Sequence, residues 1–185
     1  MIRRLDVNAR RLEHLLRDLL DLDKLARGAI ELQRKDVDIA ALVQRVVEEL
    51  DWGGRKVRVS ASTAIAAVDN PIVERMVEHL LLSSIRQAPP LAEILVKVEA
   101  TEGGVLLAAE QHVSAVPELT KEEMFKPFGE RVAALHDPGL GTDLALVARF
   151  AELHGGKAWI ENLPEGGNVL SVFLPVGLPN MPIAS

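Results

Sequence analysis

Residues 136–156 read HDPGLGTDLALVARFAELHGG, and this stretch holds the chain's best candidates for ligand chemistry. Gly139 and Gly141 predict a loop whose backbone N–H groups can approach a phosphate, followed by a helix from about Asp143 that presents its positive end. Asp143 opposes that chemistry, because a carboxylate in the first helical turn complements the dipole internally and repels phosphate. The stretch therefore predicts either a nucleotide site with one unusual residue or a site that has been closed.

Few other residues suggest catalytic chemistry. The absence of cysteine excludes disulfides, thiolate metal sites and cysteine nucleophiles. His14 lies in a leucine-rich helix, His112 and His136 lie in predicted loops without a motif, and His154 ends a helix in a structural role. No histidine pair has metal-ligand spacing, so we expect no metal site.

Composition narrows the possible partners and locations. The net charge of −6 gives no basic footprint, so we expect no nucleic-acid partner and no direct membrane contact. The chain has neither a long apolar run nor the apolar core of a signal peptide. We predict a cytoplasmic protein or the soluble end of a larger, membrane-attached sensor.

The N-terminal residues 3–27 predict one long helix that is ended by Gly28. Its leucines recur at the spacing of a coiled-coil or bundle seam, at positions Leu5, Leu12, Leu15, Leu19 and Leu22. A single helix with such a stripe needs a partner helix in water. We therefore predict a homodimer, or a partner kinase, that docks through these leucines.

The remaining chain alternates between strand and helix patterns. Asp38 predicts a helix cap before residues 39–50, and Asn70 with Pro71 predicts the start of a second helix that ends at 88–90. The strand patterns cover 30–37, 56–62, 65–69, 93–100, 104–111 and a closing hairpin from 157 onward. This order predicts an α+β fold, a two-layer sandwich of a mixed sheet with helices on one face.

Several of these stretches together resemble the C-terminal half of two-component sensor histidine kinases. VDIAALVQRVVEEL resembles the first helix of the ATPase domain, and the segment ending HLLLSSIRQAP falls on the Asn-rich box. MFKPF matches the Phe box, and GLGTDLALVARFAELHGG matches the second Gly-rich box. The resemblance runs in the family's order over residues 3–178. It implies a dimerisation-type helix at 1–28, a Bergerat-type ATPase domain at 29–178 and a flexible tail at 179–185.

The residues that carry the family's nucleotide chemistry differ here. Ser83 stands where the family has the asparagine that helps to hold Mg²⁺, and a serine hydroxyl is shorter than that amide. Gln111 replaces the aspartate that recognises adenine, and side chains replace both glycines after it. The resemblance thus implies a vestigial nucleotide site at His79, Ser83, Arg86, Gln111, Val113, Ala115, Gly139, Gly141 and Asp143.

Three functions stay open on the sequence. The favoured one is a pseudokinase of a two-component system that needs no cofactor and acts through contacts with a kinase core or a response regulator. The alternative is a divergent, active kinase domain that binds ATP and Mg²⁺ through residues such as Arg86 and Gln111 and phosphorylates a histidine supplied by upstream sequence. The third is a phosphorelay transfer protein, for which His14 would be the acceptor.

Overall fold

The computed structural model describes residues 16, 18, 20, 21, 23–25, 27, 28, 30–112, 121, 123–126 and 138–176, with only the helical backbone for 138–141. Predictions that lie outside the described residues are those on Leu5, Leu12, Leu15, Leu19, Leu22, His14, Val113, Ala115, His136 and the tail at 179–185. The described residues between 16 and 25 are helical, which we call the N-terminal helix. Gly28, with a φ of 63°, follows its end in the left-handed conformation that glycine tolerates.

The described strands form one five-stranded sheet and one two-stranded sheet. The large sheet has the order β2-β4-β5-β7-β6, in which β2 and β4 are parallel and all other neighbours are antiparallel. The small sheet pairs β1 with β3. The strands are β1 (Lys35–Asp38), β2 (Lys56–Ala61), β3 (Ile65–Val68), β4 (Glu93–Thr101), β5 (Gly104–Gln111), β6 (Lys157–Asn162) and β7 (Asn168–Pro175).

A helical layer covers one face of the large sheet. Its helices are α1 (Ile39–Glu49), α2 (Asn70–Gln87) and α3 (Pro138–Leu153), with a 3-10 turn at Glu123–Phe125. Alternate residues of the central strands, such as Val96, Leu107 and Val172, are buried against this layer. On the other face Lys97 pairs with Glu110 at 2.7 Å. The two-layer α+β prediction is confirmed.

Aspartates begin two of the helices. Asp38 caps α1, as predicted, because its Oδ1 accepts a hydrogen bond from the backbone N–H of Ala40 at 3.0 Å. The cap of α2 is Asp69 rather than the predicted Asn70, since Asp69 Oδ1 accepts from the Ile72 N–H. The other Asp69 oxygen accepts from the Gln33 N–H at 2.8 Å, which ties the entry segment to this helix.

Two predicted boundaries were wrong. The strand predicted at 30–37 is confined to β1, because its partner β3 offers only four residues for pairing. The last helix begins at Pro138 instead of Asp143, so Gly139 and Gly141 lie in the helix and not in a phosphate loop. Pro138 suits that start, because a first-turn residue has no intrahelical use for its N–H.

Candidate functional site

Asp143 lies inside α3, beyond its first turn, and its side chain is 1% exposed. The prediction that it complements the helix dipole from the first turn was therefore wrong. Its Oδ1 lies 2.9 Å from Nδ1 of His79, and its Oδ2 accepts a hydrogen bond from Nη1 of Arg86. Both partners belong to α2, so this carboxylate joins the two helices at the place where the resemblance puts phosphate.

His79 occupies the centre of a buried polar cluster. Its ring faces Asp143 through Nδ1, and its Nε2 lies 3.4 Å from Oδ1 of Asp18 on the N-terminal helix. All three side chains are almost completely buried. Each ring nitrogen of His79 therefore faces one buried carboxylate, a group that can only accept hydrogen bonds when it is ionised. His79 thereby links the N-terminal helix, α2 and α3.

Arg75 extends this cluster toward the N-terminal helix. It makes an ion pair with Asp21, and its Nη2 lies 3.9 Å from Asp18. Its guanidinium also lies 5.7 Å from the ring centre of Phe150 on α3, a cation–π distance. Arg75, Asp18 and Asp21 were not identified from the sequence. The sequence contains two features that could have indicated these residues. Asp18 and Asp21 interrupt a leucine-rich helix at i, i+3 spacing, and Arg75 lies four residues before His79, on the same side of its helix.

Ser83 is fully buried on α2 and has a partner in its own helix. Its Oγ accepts a hydrogen bond from Nε2 of Gln87 at 3.1 Å. The neighbouring Ser84 donates to the Leu80 carbonyl at 3.0 Å. Both hydroxyls are thus engaged in contacts along α2.

Gln111 lies at the end of β5, separate from the charged cluster. Its Nε2 donates to Oδ1 of Asn168 on the adjacent strand β7 at 2.9 Å. Its Oε1 is buried and has no hydrogen-bond partner among the residues that the structure describes. A buried acceptor without a partner is the kind of atom that a ligand's N–H can satisfy.

His154 has a structural role at the end of α3. Its Nδ1 donates to the Phe150 carbonyl at 2.7 Å, and its Nε2 accepts from the Asp69 N–H at 3.1 Å. Burial lowers the pKa of His154 below its ordinary value, because the charged imidazolium is poorly solvated there. The neutral ring therefore connects the end of α3 to the start of α2.

The charged cluster contains three side chains of the kinds that coordinate divalent metal ions. Asp18, His79 and Asp143 offer ligand atoms that lie within 4.8 Å of one another. Two carboxylates and one imidazole form a donor set that suits zinc. The same carboxylates already contact Arg75 and Arg86, however, which supply positive charge without a metal.

At the phosphate end of the ATP–Mg²⁺ site that the resemblance implies, the residues of this chain differ from the family's. The buried Asp143 carboxylate occupies the position with negative charge, and the flexible glycine loop is replaced by the first turn of α3. The hydroxyl of Ser83, in the metal-holding position, is already hydrogen bonded to Gln87. At the adenine end, the buried Oε1 of Gln111 has no hydrogen-bond partner among the described residues.

Comparison with known proteins agrees with this fold. The family described as histidine kinase-, DNA gyrase B-, and HSP90-like ATPase matches residues 68–178. The chain is 27% identical over 173 residues to the sensor protein DivL of Caulobacter vibrioides, covering 90% of this chain and 22% of that protein. It is 32% identical over 163 residues to the sensor-type histidine kinase PrrB of Mycobacterium bovis, covering 83% of this chain and 35% of that protein.

Solved structures match as well. The Acinetobacter baumannii histidine kinase AdeS superposes with a TM-score of 0.76 at 18% identity, over 92% of this chain and 81% of that one. The ATP-binding domain of PrrB from Mycobacterium tuberculosis gives a TM-score of 0.59 at 25% identity, over 78% of this chain and 98% of that one.

The chain spans between a fifth and about a third of the length of these two curated relatives. Among the described residues, no helix is both long enough and apolar enough to cross a bilayer. The predicted resemblance to the C-terminal part of sensor histidine kinases is confirmed. This chain belongs to the histidine kinase-, DNA gyrase B-, and HSP90-like ATPase family.

Proposed function

We propose that this chain is a signalling module of a two-component system whose nucleotide site has been closed and which acts through protein contacts. One observation carries the proposal: the buried Asp143 carboxylate, at the position that the resemblance aligns with the phosphate end of the site, is paired with His79 and Arg86. Opening the site to a triphosphate would leave a buried anion beside the incoming negative charge, which is strongly unfavourable in a low-dielectric setting.

The N-terminal helix supplies the proposed partner surface. Leu16 and Leu20, which are not among the leucines of the predicted seam, lie one turn apart on this helix and are 58% and 52% exposed, whereas Asp18 and Asp21 are buried against the domain. An exposed apolar stripe on a helix favours packing against another helix. We propose that residues 1–28 mediate dimerisation with a second copy or contact with a partner kinase, and that residues 29–178 are the ATPase-like domain. A response regulator is the further expected partner, in the cytoplasm.

Isothermal titration of the chain with ATP and Mg²⁺ tests the closed site. We expect no binding heat at micromolar ligand, and a metal-dependent Kd in that range would refute the proposal. The matched variant is Asp143→Gly, which removes the carboxylate and restores the family's glycine. Detectable nucleotide binding by that variant alone would show that Asp143 is the residue that closes the site.

The second candidate function is an active kinase domain, and Gln111 is the observation that favours it. Its buried Oε1, which has no partner among the residues that the structure describes, can accept a hydrogen bond from an adenine amino group. A phosphotransfer assay with radiolabelled ATP on a longer protein that carries an upstream histidine distinguishes the two functions. Label on that histidine, lost in a Gln111→Leu variant, would establish the kinase instead of the pseudokinase.

A further inference from the structure

A second surface, remote from the charged cluster, has the features of a docking groove. It lies between the 3-10 turn, the outer side of α3 and strand β6, and it encloses about 480 Å³. Its apolar walls come from Phe125, Ala148, Ala158, Trp159 and Ile160. We call this surface the β6 groove.

The β6 groove follows the edge of the sheet. Strand β6 is the last in the order of the large sheet, and among the described residues it pairs only with β7. Four successive residues, 157–160, line the groove. Because successive side chains of a strand point to opposite faces, a surface that touches all four must run past the strand's edge. Such an edge presents backbone N–H and C=O groups to an incoming strand.

The charge of the β6 groove differs from that of the whole chain. Lys121, Lys126, Arg149 and Lys157 line it with a single acid, Glu152, in a chain whose net charge is −6. Arg149 pairs with Glu152 at 2.9 Å, and Nζ of Lys157 lies 5.0 Å from the ring centre of Trp159. A positive lining on a negative protein favours a negatively charged partner and raises its association rate.

We propose that the β6 groove binds an extended, acidic segment of a partner protein, which adds a strand to β6. In this arrangement backbone hydrogen bonds to β6 give the register. Carboxylates of the segment lie on the face of β6 that carries Lys157, and the alternate apolar side chains lie on the opposite face, against Phe125 and Ile160. This inference extends the proposed action through protein contacts, but it does not depend on whether the nucleotide site is closed.

Fluorescence anisotropy with a short labelled peptide of alternating glutamate and valine tests the proposal. We expect Lys157→Glu to weaken binding by about tenfold or more, because it replaces an attractive charge with a repulsive one at the groove. The matched control is Lys56→Glu, since Lys56 begins β2, the edge strand at the opposite end of the sheet. We expect that control to change the Kd by less than about twofold.

Further peptides separate strand addition from simple charge attraction. A glutamate–serine peptide should bind at least about tenfold more weakly, because it lacks apolar side chains for the wall formed by Phe125 and Ile160. Two further glutamate–valine peptides carry N-methyl groups at alternate residues, on one edge or on the other. The peptide methylated on the edge that faces β6 should bind more weakly, because it has lost the N–H groups that would pair with β6. Equal binding of the glutamate–serine peptide, or an unchanged Kd for Lys157→Glu, would overturn the proposal. Either result would leave the titration with ATP and Mg²⁺ unaffected, so the two proposals fail separately.

Discussion

At the scale of single residues, Asp143 is a buried carboxylate that joins two helices through internal contacts. Its two oxygens engage His79 and Arg86, both from the same helix. Removing one member of a buried group of charges leaves the remaining charges buried without a partner of opposite sign. The resulting loss of folding stability exceeds the net stabilisation that the intact group provides. The cluster is therefore sensitive to single substitutions.

We predict that Asp143→Asn destabilises the protein by about 2–4 kcal/mol, because His79 and Arg86 lose their anionic partner in a buried setting. Urea unfolding measures the change in the free energy of unfolding. The control is Glu152→Gln, which breaks an ion pair with Arg149 that is more than half exposed on both sides. Solvent-exposed pairs contribute little, so the control should unfold near the wild-type midpoint. Equal stability of the Asn variant would contradict the prediction.

The location of this site was predicted from the sequence more accurately than the contacts between its side chains. His79 and Asp143 were both recognised as departures from the family's residues, but they are far apart in the chain, and only the folded helices bring their side chains within 2.9 Å. Asp18 and Arg75 were missed because each reads as an ordinary charged residue on an amphipathic helix. Ion pairing across three elements depends on side-chain direction, which sequence spacing alone does not fix.

At the scale of elements, the start of α2 shows which of two adjacent residues caps the helix: Asp69 does, and Asn70 does not. We predict that Asp69→Ala lowers the free energy of unfolding by about 1–2 kcal/mol, since it removes the cap on Ile72 and the contact to Gln33. Asn70→Ala is the matched variant and should cost only a few tenths of a kcal/mol, because Asn70 is the first helical residue rather than the cap. Thermal unfolding of the two variants gives the comparison, and equal losses would contradict the assignment.

The N-terminal helix allows a test of self-association. We expect Leu16→Ser combined with Leu20→Ser to shift the protein from dimer toward monomer, because both leucines lie on the exposed side of the helix. Sedimentation velocity measures the mass. Leu91→Ser is the control, since Leu91 is 79% exposed but lies outside this helix. A wild-type protein that is monomeric throughout, or a double variant that stays dimeric, would count against the proposed interface.

Elements with a strong internal pattern were predicted well. Apolar and polar residues alternate in β2, β4 and β5, and apolar residues recur at helical spacing in α1 and α2. These patterns predicted the type and the approximate bounds of each element. The predictions at 30–37 and 143–153 were inaccurate because a partner or a neighbour sets those ends: β3 limits β1, and Pro138 starts α3 earlier than the glycines suggested. The conformational preferences of a segment's own residues do not reveal ends that are set by a partner strand or by a neighbouring residue.

At the scale of the whole molecule, His154 connects pH to stability. Its neutral ring joins α3 to the start of α2, and burial lowers its pKa in the folded state. The unfolded chain then binds more protons, so the free energy of unfolding should fall as the pH drops below about 6.5 and level off once it passes below the folded-state pKa. Above about pH 6.5 this contribution is complete and flat.

We expect the slope of stability against pH, between roughly pH 5 and 7, to be smaller in His154→Gln than in the wild type. Urea unfolding across that range measures it. Leu91→Gln is the control, because it places glutamine at an exposed position without removing a titratable group, so the slope should stay unchanged. A His154→Gln variant with the wild-type slope would show that another group governs the pH dependence.

The order of the large sheet has a consequence for synthesis on the ribosome. Strand β7, at Asn168–Pro175, lies between β5 and β6, so one of the last strands to be made is an interior strand of the sheet. Until it has left the exit tunnel, β5 keeps an unpaired edge and β6 has no neighbour, and the buried faces of both strands remain open to water and to other chains. The nascent chain must therefore carry an incomplete sheet, exposed to aggregation or to chaperones, from the time β5 emerges until β7 has emerged.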